Sequence, residues 1–482
     1  MKTTSAFFAC LAFCTASAQT LSMVKDINPG GASSNVREPF IFNDRFLYVA
    51  TNAEYGAQVY SNHACLSCYW NSTNPKMGAN PRSLTSFTDK PIFISPATPP
   101  QGASVPLGDR IWCENTTAIY QHERNIQHAA ILPYAMNGIS TIREITKIGN
   151  KLWLSADVGG GLNIEPYWTM ALGNILPQST SLGQGYSALL LRDINPNGSS
   201  EPRNFTEFNG KVIFSATDGT KGTELWVTDG TSTGTLQIKD INPGSGGVSF
   251  SKFVRIGAKL YFTARINGNT ELWCTDATTA GTTRVKDINP TGNDQVGDPV
   301  VWKNALYFSA TNGTNGVELW RSDGTAAGTL MLKDINATGN SSPSDFSGYG
   351  YLFGTTAARE YLAFAADNGS VGKELWRTDG TTAGTVLLKD INPGIAGSSP
   401  RELVAMAGYY YYSAIQGTNG RELMQFAPIN NNHTRLAPMI ASKINPLGMS
   451  NAWPWIVFKN ELYFYANYDS NGGELWKLTP RP

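Results

Sequence analysis

Glu224-Leu225-Trp226-Val227-Thr228-Asp229-Gly230-Thr231, then Gly234-Thr235, then Leu236-Gln237-Ile238-Lys239-Asp240-Ile241-Asn242-Pro243, is the passage that decides the fold. Its opening recurs as Glu-Leu-Trp at Glu271, Glu318, Glu374 and Glu474, with Glu422-Leu423-Met424 as a variant. Its close recurs as Asp-Ile-Asn at Asp26, Asp193, Asp287, Asp334 and Asp390, and weakly at Lys443-Ile444-Asn445-Pro446. From Asp193 to Asp334 the step is 47 residues each time, and then 56 and 53. A fixed period of this size marks supersecondary units that bury their faces against one another.

Each unit contains four apolar runs separated by turn residues, which predicts four short antiparallel strands. One strand follows Asn-Pro (Arg203 to Phe208), and the next carries the Leu-Tyr-Phe signature of Lys259 to Phe262. Glu-Leu-Trp opens the third, and the fourth runs into Asp-Ile-Asn-Pro. Second strands are apolar at successive positions, as expected where both faces of a sheet are covered. Four strands repeated radially predict a single all-β propeller. Second-strand matches begin at Arg45, Lys90, Lys151, Lys211, Lys259, Ala305, Tyr361, Tyr409 and Glu461, so nine blades are favoured. Eight is the alternative if the second unit is an insertion. The last unit stops after its third strand, and Leu21 to Ile27 reads as a lone fourth strand; pairing them would close the ring and remove an exposed edge.

Length alone would suggest about three domains, but one ring accounts for the 482 residues more economically. Lys and Arg balance Asp and Glu at 37 each, which argues against a nucleic-acid partner. Lys2, the apolar stretch from Phe7 to Phe13 and Ala16-Ser17-Ala18 predict a signal peptide over 1–18 and a secreted chain. No later segment approaches the apolar length of a membrane span. The propeller is thus expected over 19–482, with irregular blades in 19–192 and regular ones in 193–482.

Glu-Leu-Trp-x-x-Asp-Gly-Thr, followed by Gly-Thr and Lys-Asp-Ile-Asn-Pro-Gly, resembles the ELWxxDGT-repeat proteins, a family of secreted repeat proteins. The match is tight from Glu224 to Thr385, with Asp276-Ala277-Thr278 as the one loosened turn. The resemblance implies an extracellular propeller-like array and carries no catalytic residues to transfer.

Repeated acids have two readings. The Asp of Asp-Ile-Asn-Pro and of Asp-Gly-Thr could help bind Ca²⁺, which takes oxygen ligands. Recurrence in nearly every unit favours side chains that satisfy turn N–H groups. The Glu of Glu-Leu-Trp reads likewise as a strand-start contact, since a catalytic carboxylate would be singular. Among singular residues, His122 and His128 lie six apart, about 20 Å on a strand. With His63 and His433 they show no zinc spacing. Neither Gly-x-Ser-x-Gly nor a phosphate-binding glycine loop is present.

In an oxidising compartment Cys65-x-x-Cys68 predicts a local turn disulfide. Cys113 and Cys274 each follow a third-strand Trp, where sister units carry Val227, Arg321, Arg377 and Lys477. A position that accepts Arg and Lys is expected to face solvent at least in part, which makes these two thiols candidates for intermolecular disulfides and self-association. Nine Asn-x-Ser/Thr sequons are candidate glycosylation sites: Asn71, Asn115, Asn197, Asn204, Asn312, Asn336, Asn340, Asn368 and Asn432.

Uniform blades, neutral charge and no singular catalytic cluster point first to a non-catalytic extracellular scaffold for matrix assembly, adhesion or binding of a protein or glycan. The alternatives are a propeller enzyme acting on polysaccharide, and a lectin stacking sugars on aromatics such as Tyr409 to Tyr412.

Overall fold

The computed structural model describes residues 20–28, 32–42, 45–53, 56–61, 81–87, 90–96, 109–114, 128–130, 141–157, 163–170, 189–349, 361–406, 409–417, 421–427, 432–435, 456–466 and 473–479. These form an all-β propeller with no α-helix, so no helix is long and apolar enough to cross a membrane. Among the described residues nine antiparallel sheets follow one another along the chain. Eight have four or more strands, and the first sheet (Arg37–Phe42, Arg45–Asn52, Gly56–Ser61) has three among the described residues. The second unit is no insertion: it builds the sheet Arg82–Phe87, Lys90–Pro96, Asp109–Glu114, His128–Ala130.

Every second strand begins at the residue that its apolar signature marks, from Arg45–Asn52 to Glu461–Ala466. First strands pack against first strands in chain order and line the axis, starting with Arg37–Phe42, Arg82–Phe87, Thr141–Ile148 and Arg203–Phe208. One face of the ring carries the starts of the first strands and the Asp-Ile-Asn segments, and the other carries the Asp-Gly-Thr turns.

Between neighbouring sheets lies the core. Phe214, Phe262, Phe308, Phe364 and Phe464 occupy one position of the second strand, all fully buried. Each pairs across the sheet with the Trp of Glu-Leu-Trp, as Phe308 does with Trp320 and Phe364 with Trp376. Burial of such a ring stabilises by about 1.5–3 kcal/mol, so this layer explains the apolar runs. Tyr410, Tyr411 and Tyr412 belong to the same layer and are buried, leaving only Tyr409 partly open; they form no aromatic surface for a sugar.

Most of the repeated polar words are hydrogen bonds, but the Asp of Asp-Ile-Asn departs from the expected turn contact: Oδ1 of Asp26, Asp193, Asp240, Asp334 and Asp390 is buried with no hydrogen-bond partner among the described residues. In each regular turn the Asp accepts from the following Thr: Asp229 Oδ1 takes the Thr231 N–H and hydroxyl at 2.9 and 2.7 Å. Thr228 and Thr235 hydroxyls pair at 2.8 Å beneath it. The Lys or Arg before Asp-Ile-Asn ties one sheet to the next: Arg192, Lys239, Lys286 and Lys333 donate to the carbonyls of Thr235, Thr282, Thr329 and Thr385. The Asn donates to the loop ahead, as Asn242 does to the Gly247 carbonyl at 2.9 Å. A glycine must meet that Asn: Gly313 has φ 82°, and a Cβ there would lie 2.7 Å from Asn289 Oδ1.

The buried Glu of Glu-Leu-Trp receives the backbone that leaves its own blade. Glu318 accepts the N–H groups of Ile335 (2.7 Å) and Ser341 (2.9 Å) and the Ser341 hydroxyl (2.6 Å). Glu165, Glu224 and Glu374 hold Ile194, Ile241 and Ile391 in the same way. Glu474 accepts the Ile27 N–H at 3.1 Å across 447 residues of sequence. Strand Thr20–Lys25 pairs with Glu474–Thr479 beside it, so the ring closes as the lone fourth strand predicts. The fifth sheet (Ser249–Phe250 and Val254–Ile256, Lys259–Ile266, Asn269–Thr275, Thr283–Arg284) breaks the rule. Glu271 turns to Arg284 at 2.6 Å, and Asp294, fully buried, accepts the Ile288 and Asn289 N–H groups instead. Asp294 stands where Ser200 and Ser341 stand in sister loops, so the carboxylate has moved from strand to loop while the bonds remain.

Two expectations follow. Glu318→Ala leaves Ile335 and Ser341 N–H groups buried without acceptors and should cost roughly 3 kcal/mol or more. Asp294→Ala should cost a similar amount, whereas Glu271→Ala should cost less, because Glu271, though buried, accepts only from the side chains of Arg284, Trp273 and Asn269, which can turn to water. Denaturant midpoints of the three variants check this ordering. The second concerns pH. Burial pushes Glu165, Glu224 and Glu474 up to about 7, against the N–H bonds that pull them down. Between their ordinary value of 4.5 and about 7, the folded ring binds protons that the unfolded chain has released. That contribution to stability is full below the lower value and is lost as pH rises through the upper one. The thermal midpoint should therefore fall by a few degrees from pH ~5 to ~8, and Glu224→Gln should flatten part of the slope.

Candidate functional site

The starts of the first strands ring one mouth of the axis. The second residue of five of these strands is held at positive φ: Glu38, Ser83, Asn204, Asp345 and Glu402, between 52° and 60°. At each the pairing register shifts, a bulge that re-aims the side chain. Glu38, and Glu144 on the first strand of the third sheet, serve the neighbouring sheet. Glu38 accepts the Leu84 N–H at 3.2 Å, and Glu144 accepts the N–H groups of Asn204 and Phe205.

The seventh and eighth sheets differ. The seventh contains Ser344–Tyr349, Tyr361–Asp367 and Lys373–Thr378; the eighth contains Arg401–Met406, Tyr409–Ile415 and Arg421–Ala427. Their first strands pack together, which brings Asp345, Lys373, Arg401, Glu402 and Arg421 into one electrostatic cluster at the mouth. Ser344 donates to Asp345 Oδ2 at 2.6 Å, and the Ser413 hydroxyl reaches Glu402 Oε2 at 3.4 Å. Arg421 is anchored through Nη1 on the Ser399 carbonyl (2.8 Å) and the Ser413 carbonyl (3.2 Å). Lys373 Nζ makes no hydrogen bond among the described residues.

Both inner cations are half-buried, and their pKa values reflect it. Burial pulls Lys373 below its ordinary value, Asp345 and Asp367 oppose this, and Arg401 adds to it. Burial and Arg401 likewise lower Arg421, against Glu402 and Asp345. Cations held in this way gain from an anion that completes their pairing. Lys373 and Arg421 thus each feel Arg401 and Asp345, and Glu402 acts on Arg421, so cations and acids stand together here. Sequence reasoning missed this cluster. A signal existed: the residue before the third-strand Glu-Leu is Thr223, Thr270, Val317 or Gly473 elsewhere, and a cation only at Lys373 and Arg421 in two adjacent units.

Other candidate residues lie apart from it. Cys274 is buried, with its Sγ 3.6 Å from Thr283 Oγ1 and 3.7 Å from Lys259 Nζ, in a core with Val285 and Leu306. The expectation of a solvent-facing thiol for intermolecular disulfides is corrected there. The position faces the next sheet, and Arg is accepted because its stem can run outward, as Arg377 does over the Tyr361 ring at 4.1 Å. Cys113 is in strand Asp109–Glu114, but its side chain, like Cys65 and Cys68, is outside the described residues. So are Asn71, Asn115 and the side chains of all four histidines and Asn432. Of the remaining sequons, Asn197 and Asn340 are exposed, and Asn204, Asn312 and Asn368 are half-buried. Asn336 is buried and its amide donates to the Asn340 carbonyl at 3.3 Å, so it is corrected as a glycan acceptor. Among the described residues no group of three His, Cys, Asp or Glu assembles around a possible metal position.

No family model and no curated protein sequence matches the chain. Solved structures do. A puromycin hydrolase S511A mutant complexed with PGG is similar at 11% identity over 80% of this chain and 58% of its own, with a TM-score of 0.36. A puromycin-hydrolyzing peptidase of Mycobacterium tuberculosis is similar at 11% identity over 90% and 58%, with a TM-score of 0.39. The acylaminoacyl peptidase of Pyrococcus horikoshii is similar at 12% identity over 69% and 50%, with a TM-score of 0.33. The chain thus spans between a half and three fifths of those structures. The expectation of a non-catalytic scaffold is corrected to this extent: the solved structures that the chain is similar to are named as a hydrolase and peptidases.

Proposed function

We propose that this chain is a peptidase-type propeller, a ring that takes up peptide chains at the mouth where its first strands begin. The observation that carries this reading is the grouping of two half-buried cations, Lys373 and Arg421, within electrostatic reach of Asp345, with Glu402 beside Arg421. A peptide offers the complementary set, a terminal carboxylate for the cations and an ammonium for the acids. The rigid ring supports the reading, because groups on strands are positioned more firmly than groups on loops. The role is recognition and positioning of the peptide, and no hydrolytic group is assigned. With a leader over 1–18 the ring would work outside the cell, and the ELWxxDGT resemblance is in keeping with that location.

Lys373→Met is the informative variant, since Lys373 supports no described hydrogen bond. In fluorescence anisotropy, a labelled peptide with a free C-terminus should bind the wild type about tenfold or more tightly than its C-terminal amide. The same peptide should lose a comparable factor on K373M, and amidation should then make little further difference. Equal affinity of acid and amide for the wild type would rule the reading out, as would uptake of neutral oligosaccharides in preference to peptides.

A further inference from the structure

The fifth sheet departs from the repeat a second time, on its outer side. In the fourth, sixth, seventh and eighth sheets the second and third strands are joined by five residues, as between the paired Thr217 and Thr223 or Thr311 and Val317. In the fifth sheet Ile266 pairs with Asn269, and the turn shrinks to Asn267 and Gly268, at φ 50° and 89°. Missing turn leaves space. Facing it is Gly244-Ser245-Gly246-Gly247, where the equivalent loop of the seventh sheet is Gly394-Ile395-Ala396-Gly397. The two loops share a backbone: φ is 109° and 111° at Gly244 and Gly394, and 59° and 60° at Gly247 and Gly397. Their side chains differ: Ser245 stands where the sister loop carries Ile395, which is 84% exposed.

The result is a cavity of about 410 Å³ between the fourth and fifth sheets, walled by Thr223, Ser245, Gly246, Gly247, Arg265 and Asn267. Arg265 is its one charged wall residue, and no carboxylate lines it. Thr217, Thr311, Asp367 and Ile415 hold the same strand position elsewhere, so only this sheet places a cation there. Arg265 is exposed at the rim of the cleft, and its guanidinium makes no hydrogen bond or ion pair among the described residues. Around it stand hydroxyls and an amide. An unpaired guanidinium recognises planar carboxylates through paired N–H donors, and hydroxyl walls favour a ligand that is itself hydroxylated.

We propose that this cleft is a binding site for a small hydroxylated carboxylate, with the acid group on Arg265 and the ligand hydroxyls on the Thr, Ser and Asn walls. It is separate from the mouth of the axis and does not depend on the peptide reading.

Calorimetric titration of the full chain with gluconate, sorbitol, hexanoate and inorganic phosphate tests it. Gluconate should bind, while sorbitol, which lacks the acid, and hexanoate, which lacks the hydroxyls, should each bind about tenfold or more weakly. Arg265→Thr should weaken gluconate by a similar factor, and Arg265→Lys should retain part of it. No gluconate binding to the wild type, phosphate binding more tightly than gluconate, or an unchanged R265T would overturn the proposal. So would loss of gluconate binding on K373M, because the acid would then sit at the mouth.

Discussion

A buried carboxylate that accepts backbone N–H groups is the contact on which this ring depends. A propeller blade has to hand its chain over to the next blade, and at that handover several backbone N–H groups leave their ladder. Buried and unpaired, each would cost about 1–3 kcal/mol. The Glu of Glu-Leu-Trp meets them from the third strand of the same blade, and does so where Glu474 seizes Ile27 from the other end of the chain. The fifth sheet shows that the acceptor matters more than its place in the sequence. Asp294 performs the task from a loop, and Glu271, released, is spent on Arg284.

Once the handover is secured, the remaining repeated words act around it. Asp-Gly-Thr folds its own turn, the Lys or Arg before Asp-Ile-Asn reaches the next sheet, and the Asn reaches the loop ahead. Residues committed in this way have little left for ligands. Chemistry is therefore available where the repeat lapses: at Lys373 and Arg421, and at the shortened turn beside Arg265. Uniform blades make a stiff frame, and departures from uniformity decide what the frame presents.

Most of the frame was legible in the sequence because it rests on local periodicity. All nine second strands start where their apolar runs start, and the closing strand was visible as an unpaired fourth strand. Strand-start glutamates and turn aspartates were legible by recurrence. The mouth cluster was not, because Asp345 and Arg421 are 76 residues apart and meet only when two sheets pack. Cys274 misled for a related reason. A sister Arg suggested solvent, but a long side chain can leave a covered position that a thiol cannot. Asn336 satisfies a sequon pattern while its amide is consumed by the loop, and sequence spacing carries no record of that.

Hydrogen exchange at the handover amides tests the central claim most directly. The Ile27, Ile194, Ile241, Ile288, Ile335 and Ile391 N–H groups lie outside regular strands, yet each is held by a buried carboxylate. They should exchange as slowly as amides of the second strands, and Glu318→Gln should speed Ile335 while leaving Ile288 slow. Exchange of all six at the rate of exposed turns in the wild type would contradict the account.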